Sequence, residues 1–116
     1  MGKASLAYGR GKIINAAALY NTHALDGVWL DFRDPDGCRE ETLYVKTMGF
    51  KGRFAIHPDQ IKPIHDAYRP TPEELEWAKG VLEEAKTAGS GAFKYQGKMV
   101  DAPVLAVARL IILRED

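Results

Sequence analysis

The sequence predicts an α/β fold whose strands run parallel. Two observations carry that expectation. Val28, Leu30 and Phe32 alternate with Trp29 and Asp31, the two-residue period of a strand. A second short apolar run, Arg53-Phe54-Ala55-Ile56, follows a helical stretch within about 30 residues, the spacing of a βαβ unit. Such a unit sets its strands parallel with a right-handed crossover.

Ala4 to Asn21 places Leu6, Ile13, Ile14, Ala17 and Leu19 on one broad apolar side, which predicts a helix. Gly9 and Gly11 weaken its first turns by about 1 kcal/mol each relative to Ala. The first strand spans Asp26 to Phe32 and is stopped by Asp34-Pro35-Asp36-Gly37, a strong turn sequence. A second helix is expected from Cys38 to Met48, closed by Gly49. The second strand, Arg53 to Ile56, ends at His57-Pro58, and a short helix from Pro58 to Ala67 should bend or break at Pro63.

Thr71-Pro72-Glu73-Glu74 reads as a capping box with Pro in the first helical position. The helix behind it should bury Leu75, Ala78, Leu82 and Ala85 and stop in Ala88-Gly89-Ser90-Gly91. Ala92 to Gln96 fits a short strand turned by Gly97, opening a hairpin-like segment. Asp101 stands at the N-cap of a last helix, Ala102 to Arg114.

A chain of 116 residues is the size of one domain. Lys plus Arg and Asp plus Glu are 16 each, so the electrostatic footprint of a nucleic-acid binder is missing. The single Cys38 has no partner within the chain for a disulfide, which suits a reducing cytoplasm. No secretory signal is visible at Met1 to Ala7. The most apolar stretch, Val104 to Leu113, is interrupted by Arg109 and falls short of the roughly 18 residues a membrane span needs. The expectation is a soluble cytoplasmic chain without a membrane partner.

Two parallel strands need neighbours, because parallel sheets are covered on both faces in larger arrangements. The final helix is apolar on nearly every side and also calls for a partner. The chain therefore reads as part of something.

Four blocks show what that is. Gly49-Phe50-Lys51-Gly52-Arg53-Phe54-Ala55-Ile56-His57-Pro58-Asp59-Gln60-Ile61 resembles the GF-x-GK-x-x-IHP-x-QI block of the HpcH/HpaI aldolase/citrate lyase β-subunit family. Trp29-Leu30-Asp31-Phe32-Arg33-Asp34 stands where that family has LDFRD, and Tyr68-Arg69-Pro70-Thr71-Pro72-Glu73 where it has F-x-PSPEE. Gly97-Lys98-Met99-Val100-Asp101-Ala102-Pro103 is similar to its G-x-MIDxP. Arg53 replaces a usual Lys and keeps the charge.

The resemblance, to citrate lyase β-subunit-like and malyl-CoA lyase-like members, implies the C-terminal fragment of a (β/α)8 TIM barrel. Residues 1–88 would hold its last two strands and their helices, and residues 89–116 a C-terminal extension with a hairpin-like segment and a swapped helix. It implies a Mg2+-dependent carbon–carbon lyase acting on citryl-CoA or malyl-CoA, with a CoA thioester as substrate. The metal's Glu and Asp and the Arg that grips the oxo-acid would precede Met1, so no metal ligand is assigned here. Upstream truncation is the favoured explanation, and the fragment alone should be inactive. Trimer-like homo-oligomers with a swapped C-terminal segment are also implied. The alternative is a non-catalytic oligomerisation module that partners full-length relatives. An aldolase of free oxo-acids is a weaker reading, since those relatives lack the C-terminal G-x-M-[IV]-D-x-P block.

Asp101 is the candidate catalytic residue. By itself an Asp before Ala-Pro and an apolar helix is an N-cap; the resemblance adds acid–base chemistry at a neighbouring subunit's site, and the two roles are compatible. Ile56, His57, Pro58 and Arg33 are the candidates for lining the CoA channel, since strand C-termini carry the active sites of such barrels. Each has a plainer structural reading: His57 held before Pro58, and Arg33 with Asp34 as an ion pair opening a turn. Asp34 and Asp36 beside Pro and Gly read as a turn rather than a metal loop. Trp29 and Trp77 read as packing residues. Cys38 has no activating neighbour in sequence, and His23 and His65 show no ligand spacing.

Overall fold

Helix α1 (Lys3–Leu19) begins the described part of the computed structural model, which covers residues 2–89 and 91–115. The chain forms two compact units, one reaching Tyr68 and one starting at Arg69. In the first, α1 runs into β1 (Leu25–Asp26), α2 (Pro35–Met48), β2 (Gly52–Arg53), a 3-10 turn (Pro58–Gln60) and α3 (Ile61–Tyr68). In the second, α4 (Pro72–Ala88) is followed by β3 (Phe93–Tyr95), β4 (Lys98–Val100) and α5 (Ala102–Leu113).

β1 and β2 pair in parallel, Leu25 opposite Gly52 and Asp26 opposite Arg53. The ladder continues through Lys51 N–H to Ala24 C=O at 2.9 Å and Phe54 N–H to Asp26 C=O at 3.2 Å. The α/β unit is thus present, but its strands are shorter and earlier than the alternation predicts. Val28, Leu30 and Phe32 keep the alternating pattern yet lie exposed beyond the ladder. Apolar alternation marks a chain able to pair, whereas a ladder forms only where a neighbouring strand lies alongside.

Helix α2 begins three residues before the expected Cys38. Asp34 accepts the Gly37 N–H at 3.0 Å and Pro35 takes the first turn, so the turn sequence is the helix's own N-cap. It ends as predicted at Gly49, whose φ of 116° favours glycine, with Phe50 N–H bonded to Val45 C=O. Pro63 does not break the next helix. It sits in the first turn of α3, where its missing N–H has no intrahelical acceptor to lose. Ala24, Val45 and Phe50 form a small core, packed on by Ile14 and Ala17 of α1 and by Tyr44 and Met48.

In the second unit the capping box is complete: Thr71 Oγ1 accepts the Glu74 N–H and Glu74 Oε2 accepts the Thr71 N–H. The hairpin β3–β4 turns through Gln96 and Gly97, both with positive φ, as a type I′ turn requires. Ala78, Val81, Val100 and Ala108 are its core, with Trp77, Phe93, Tyr95 and Leu105 among the residues packed round them. Helix α5 buries one side there and leaves Val107, Leu110 and Leu113 exposed. Among the described residues no helix is long and apolar enough to cross a membrane.

Candidate active-site face at the strand ends

Gln60 joins the segments that leave β1 and β2. It is 1% exposed, its Nε2 donates to Trp29 C=O at 2.7 Å, and its Oε1 accepts the Ile56 N–H at 2.8 Å. One amide side chain therefore sets the distance between the two strand exits, using both its donor and its acceptor.

Beyond that clamp three of the candidates meet. The rings of Phe32 and His57 stack with centroids 4.7 Å apart, and the Arg33 guanidinium lies 5.3 Å from the Phe32 ring centre. The Arg33–Asp34 ion pair of the plainer reading does not form: Asp34 caps α2, and the Arg33 N–H is bonded to Asp31 Oδ1. His57 Nδ1 accepts the Asp59 N–H at 3.1 Å, which leaves the neutral ring's proton on Nε2. Asp59 Oδ2 is 3.6 Å from the same Nδ1 and pairs with it only in a protonated ring; the shorter backbone bond describes the neutral state. Arg33 and Pro58 line a cavity of about 530 Å3 with Phe32, Arg39, Asp59 and Lys62. Ile56 is exposed and held there by its N–H. Asp101 belongs to the second unit, where its Oδ1 accepts the Val104 N–H at 3.3 Å as the N-cap of α5.

Beneath the strand exits lies a buried set of charges that sequence reasoning missed. Asp26 Oδ2 is 3.1 Å from both Arg10 Nη2 and Arg53 Nη2. Glu41 is shared in the same way, 3.0 Å from Arg10 and 3.6 Å from Arg53. Arg53 Nε also donates to Gly27 C=O at 3.0 Å. Four elements, α1, β1, α2 and β2, are thereby tied by two arginines and two carboxylates of zero net charge. Burial alone would lower the Arg10 pKa, but its hydrogen bonds to Glu41 and Asp26 outweigh that and raise it. Burial also pushes the Cys38 thiol up despite the nearby Arg53, so Cys38 stays neutral and unreactive at pH 7.

A signal for this set was present in the sequence. Arg10 falls on the apolar side of α1 with Leu6, Ile14 and Ala17, and Glu41 shares a face with Cys38, Thr42 and Val45. A charge on a buried face demands an opposite charge. Gln60 had no such signal beyond its place in the motif.

Among the described residues no cluster of three or more His, Cys, Asp or Glu is placed to hold a metal ion. The two buried acids, Asp26 and Glu41, are already neutralised by arginine. The donor set of this chain therefore does not fit a Mg2+ site.

A family model described as C–C bond lyase of the TIM-barrel fold matches residues 10–115. The chain belongs to that lyase family. Citramalyl-CoA lyase, mitochondrial, of Rattus norvegicus is 39% identical over 108 residues, which are 90% of this chain and 32% of that protein. Citrate lyase subunit beta of Escherichia coli is 37% identical over 114 residues, 96% of this chain and 38% of that one. Among solved structures, CitE from Mycobacterium tuberculosis in complex with magnesium, acetoacetate and coenzyme A has a TM-score of 0.82 and 39% identity. That match covers 94% of this chain and 40% of CitE. This member of the family thus spans only about a third to two fifths of the relatives it matches.

Proposed function

We propose that this chain is the C-terminal part of a (β/α)8-barrel lyase that cleaves a carbon–carbon bond in a CoA ester of the citryl-CoA or malyl-CoA type. Residues 1–88 are the last part of the barrel and residues 89–116 the C-terminal extension. The observation that carries this reading is the likeness to CitE, whose solved complex holds magnesium, acetoacetate and coenzyme A.

In that reading Arg33, Ile56, His57 and Pro58 line the path of the CoA chain at the strand ends. The stacked Phe32 and His57 rings and the cation above them suit the adenine and phosphate groups of such a ligand. Retro-Claisen cleavage releases an oxo-acid and the enolate of acetyl-CoA, which takes a proton at carbon. The Asp101 carboxylic acid donates that proton, and in the condensation direction its carboxylate removes one from the methyl group. Its Oδ2 has no hydrogen-bond partner among the described residues and is available for this exchange. Bound Mg2+ supplies polarisation of the oxo-acid carbonyl in such chemistry. Its ligands are assigned outside this chain, and no step performed by these residues passes through it. Asp101 acts at a neighbouring subunit's site in a trimer-like homo-oligomer with a swapped C-terminal segment, in the cytoplasm.

The chain by itself is expected to cleave neither malyl-CoA nor citryl-CoA. Mixed with a full-length relative whose matching Asp is replaced, it should restore cleavage. Asp101→Asn keeps a good N-cap but cannot exchange the proton, so it should assemble without restoring activity. Equal restoration by both chains would reject the catalytic role. The exposed Val107, Leu110 and Leu113 favour a second reading, an oligomerisation module without catalysis. Assembly with no restored turnover by either chain would select it.

A further inference from the structure

β1 has two edges, and β2 occupies one. Asp26 directs its C=O to β2, and in a strand alternate residues direct their backbone groups to opposite sides. The N–H groups of Gly27, Trp29 and Asp31 are therefore the set for the other edge. None of the three makes a hydrogen bond among the described residues.

The same segment lines a cavity of about 590 Å3 together with Leu6 and Arg10 of α1. Two buried side-chain donors on that lining, Arg10 Nη1 and Trp29 Nε1, also have no partner. Leu30, on the lining too, is 78% exposed. Buried donors in native proteins are nearly always paired, so these residues describe an acceptor that belongs beside them.

We propose that this cavity is the seat of an extended strand, parallel to β1, supplied by the barrel segment that the relatives have ahead of the matched region. The connectivity points the same way: α1 feeds β1, and a right-handed parallel crossover places the strand that feeds α1 next to β1, where β2 is not. The length is accounted for as well, since the relatives extend well beyond the 32% to 40% matched here. The arriving strand gives backbone carbonyls to Gly27, Trp29 and Asp31 and a neutral oxygen to Arg10 Nη1. Neutrality follows from charge: two arginines already balance two carboxylates, and Asp31 lines the same cavity. A third buried acid would leave an uncompensated charge. The acceptor is thus a backbone carbonyl or an amide or hydroxyl side chain.

The inference rests on the barrel reading above but not on the lyase chemistry. Amide hydrogen exchange tests it, on the full chain alone and on the chain co-produced with the segment of the M. tuberculosis citrate lyase subunit beta-like protein that precedes its own matched region. Alone, Gly27, Trp29 and Asp31 should exchange nearly unprotected while Lys51 and Phe54, bonded to Ala24 and Asp26, are slowed. Co-produced, Gly27, Trp29 and Asp31 should slow about 100-fold or more. Protection of these amides in the monomer, or protection that grows with the concentration of this chain alone, overturns the proposal, the latter because a second copy is then the occupant. A co-produced segment that leaves them unprotected overturns it equally. Protection without any cleavage of CoA esters upholds the docking and counts against the lyase reading only.

Discussion

Asp26→Asn tests whether the four buried charges hold the first unit together. The substitution preserves shape and removes one negative charge, leaving Arg10 and Arg53 to share Glu41. Asp26 stands 3.1 Å from each guanidinium. At an effective dielectric of about 20, each such attraction amounts to about 5 kcal/mol before desolvation is counted. The carboxylate's own desolvation cost disappears with it, and the amide oxygen still accepts one hydrogen bond. The net loss expected for removing one partner of a buried pair is about 3–5 kcal/mol. That is a large share of the roughly 5–15 kcal/mol by which a domain is stable. Urea unfolding followed by Trp29 and Trp77 emission measures it. The control is Arg53→Lys, which keeps the charge but gives up the Nε bond to Gly27 and the forked geometry, and should cost about 1–2 kcal/mol. A loss below about 1 kcal/mol for Asp26→Asn, the size of an exposed ion pair, would refute the reasoning.

Gln60→Leu keeps the volume but leaves Trp29 C=O and Ile56 N–H without their partner, at about 1–3 kcal/mol, and should accelerate exchange of the Ile56 amide before that of the α2 interior. A side chain added at Gly80 meets the Tyr95 hydroxyl, so Gly80→Ala should lower the stability of the second unit by about 1–3 kcal/mol, and Tyr95→Phe should recover part of it in thermal melts. Cys38 has a folded pKa above the ordinary thiol value of 9.0. The folded state therefore favours the neutral thiol, and that contribution is complete below about pH 9 and declines as pH rises through the folded value. The urea midpoint of the wild type should fall on this alkaline side more than that of Cys38→Ala, and the native thiol should resist a disulfide reagent that labels it once urea is added.

Much of the local structure was legible because it is written in short-range chemistry. Asp34, Pro35 and Gly49 bound α2, Thr71 and Glu74 start α4, and Asp101 starts α5, each through bonds reaching three or four residues. The motif around Ile56-His57-Pro58 located the strand-end face for the same reason. The stacking of Phe32 on His57 was not legible, since 25 residues separate them and nothing local specifies the contact. Nor was the extent of the strands. Val28 to Phe32 carries the apolar alternation of a strand, and only the position of a neighbour decides whether its backbone is paired.

The sequence by itself determined the kinds of element, their caps and the family block, because these depend on side chains acting on adjacent backbone. The tertiary structure alone decided that Arg10, Asp26, Glu41 and Arg53, spread over 44 positions, share one buried site of balanced charge. Electrostatic pairing acts through space, so a charge on an apolar helix face announces that it needs a partner, and only the packing of α1, β1, α2 and β2 says which residue it receives.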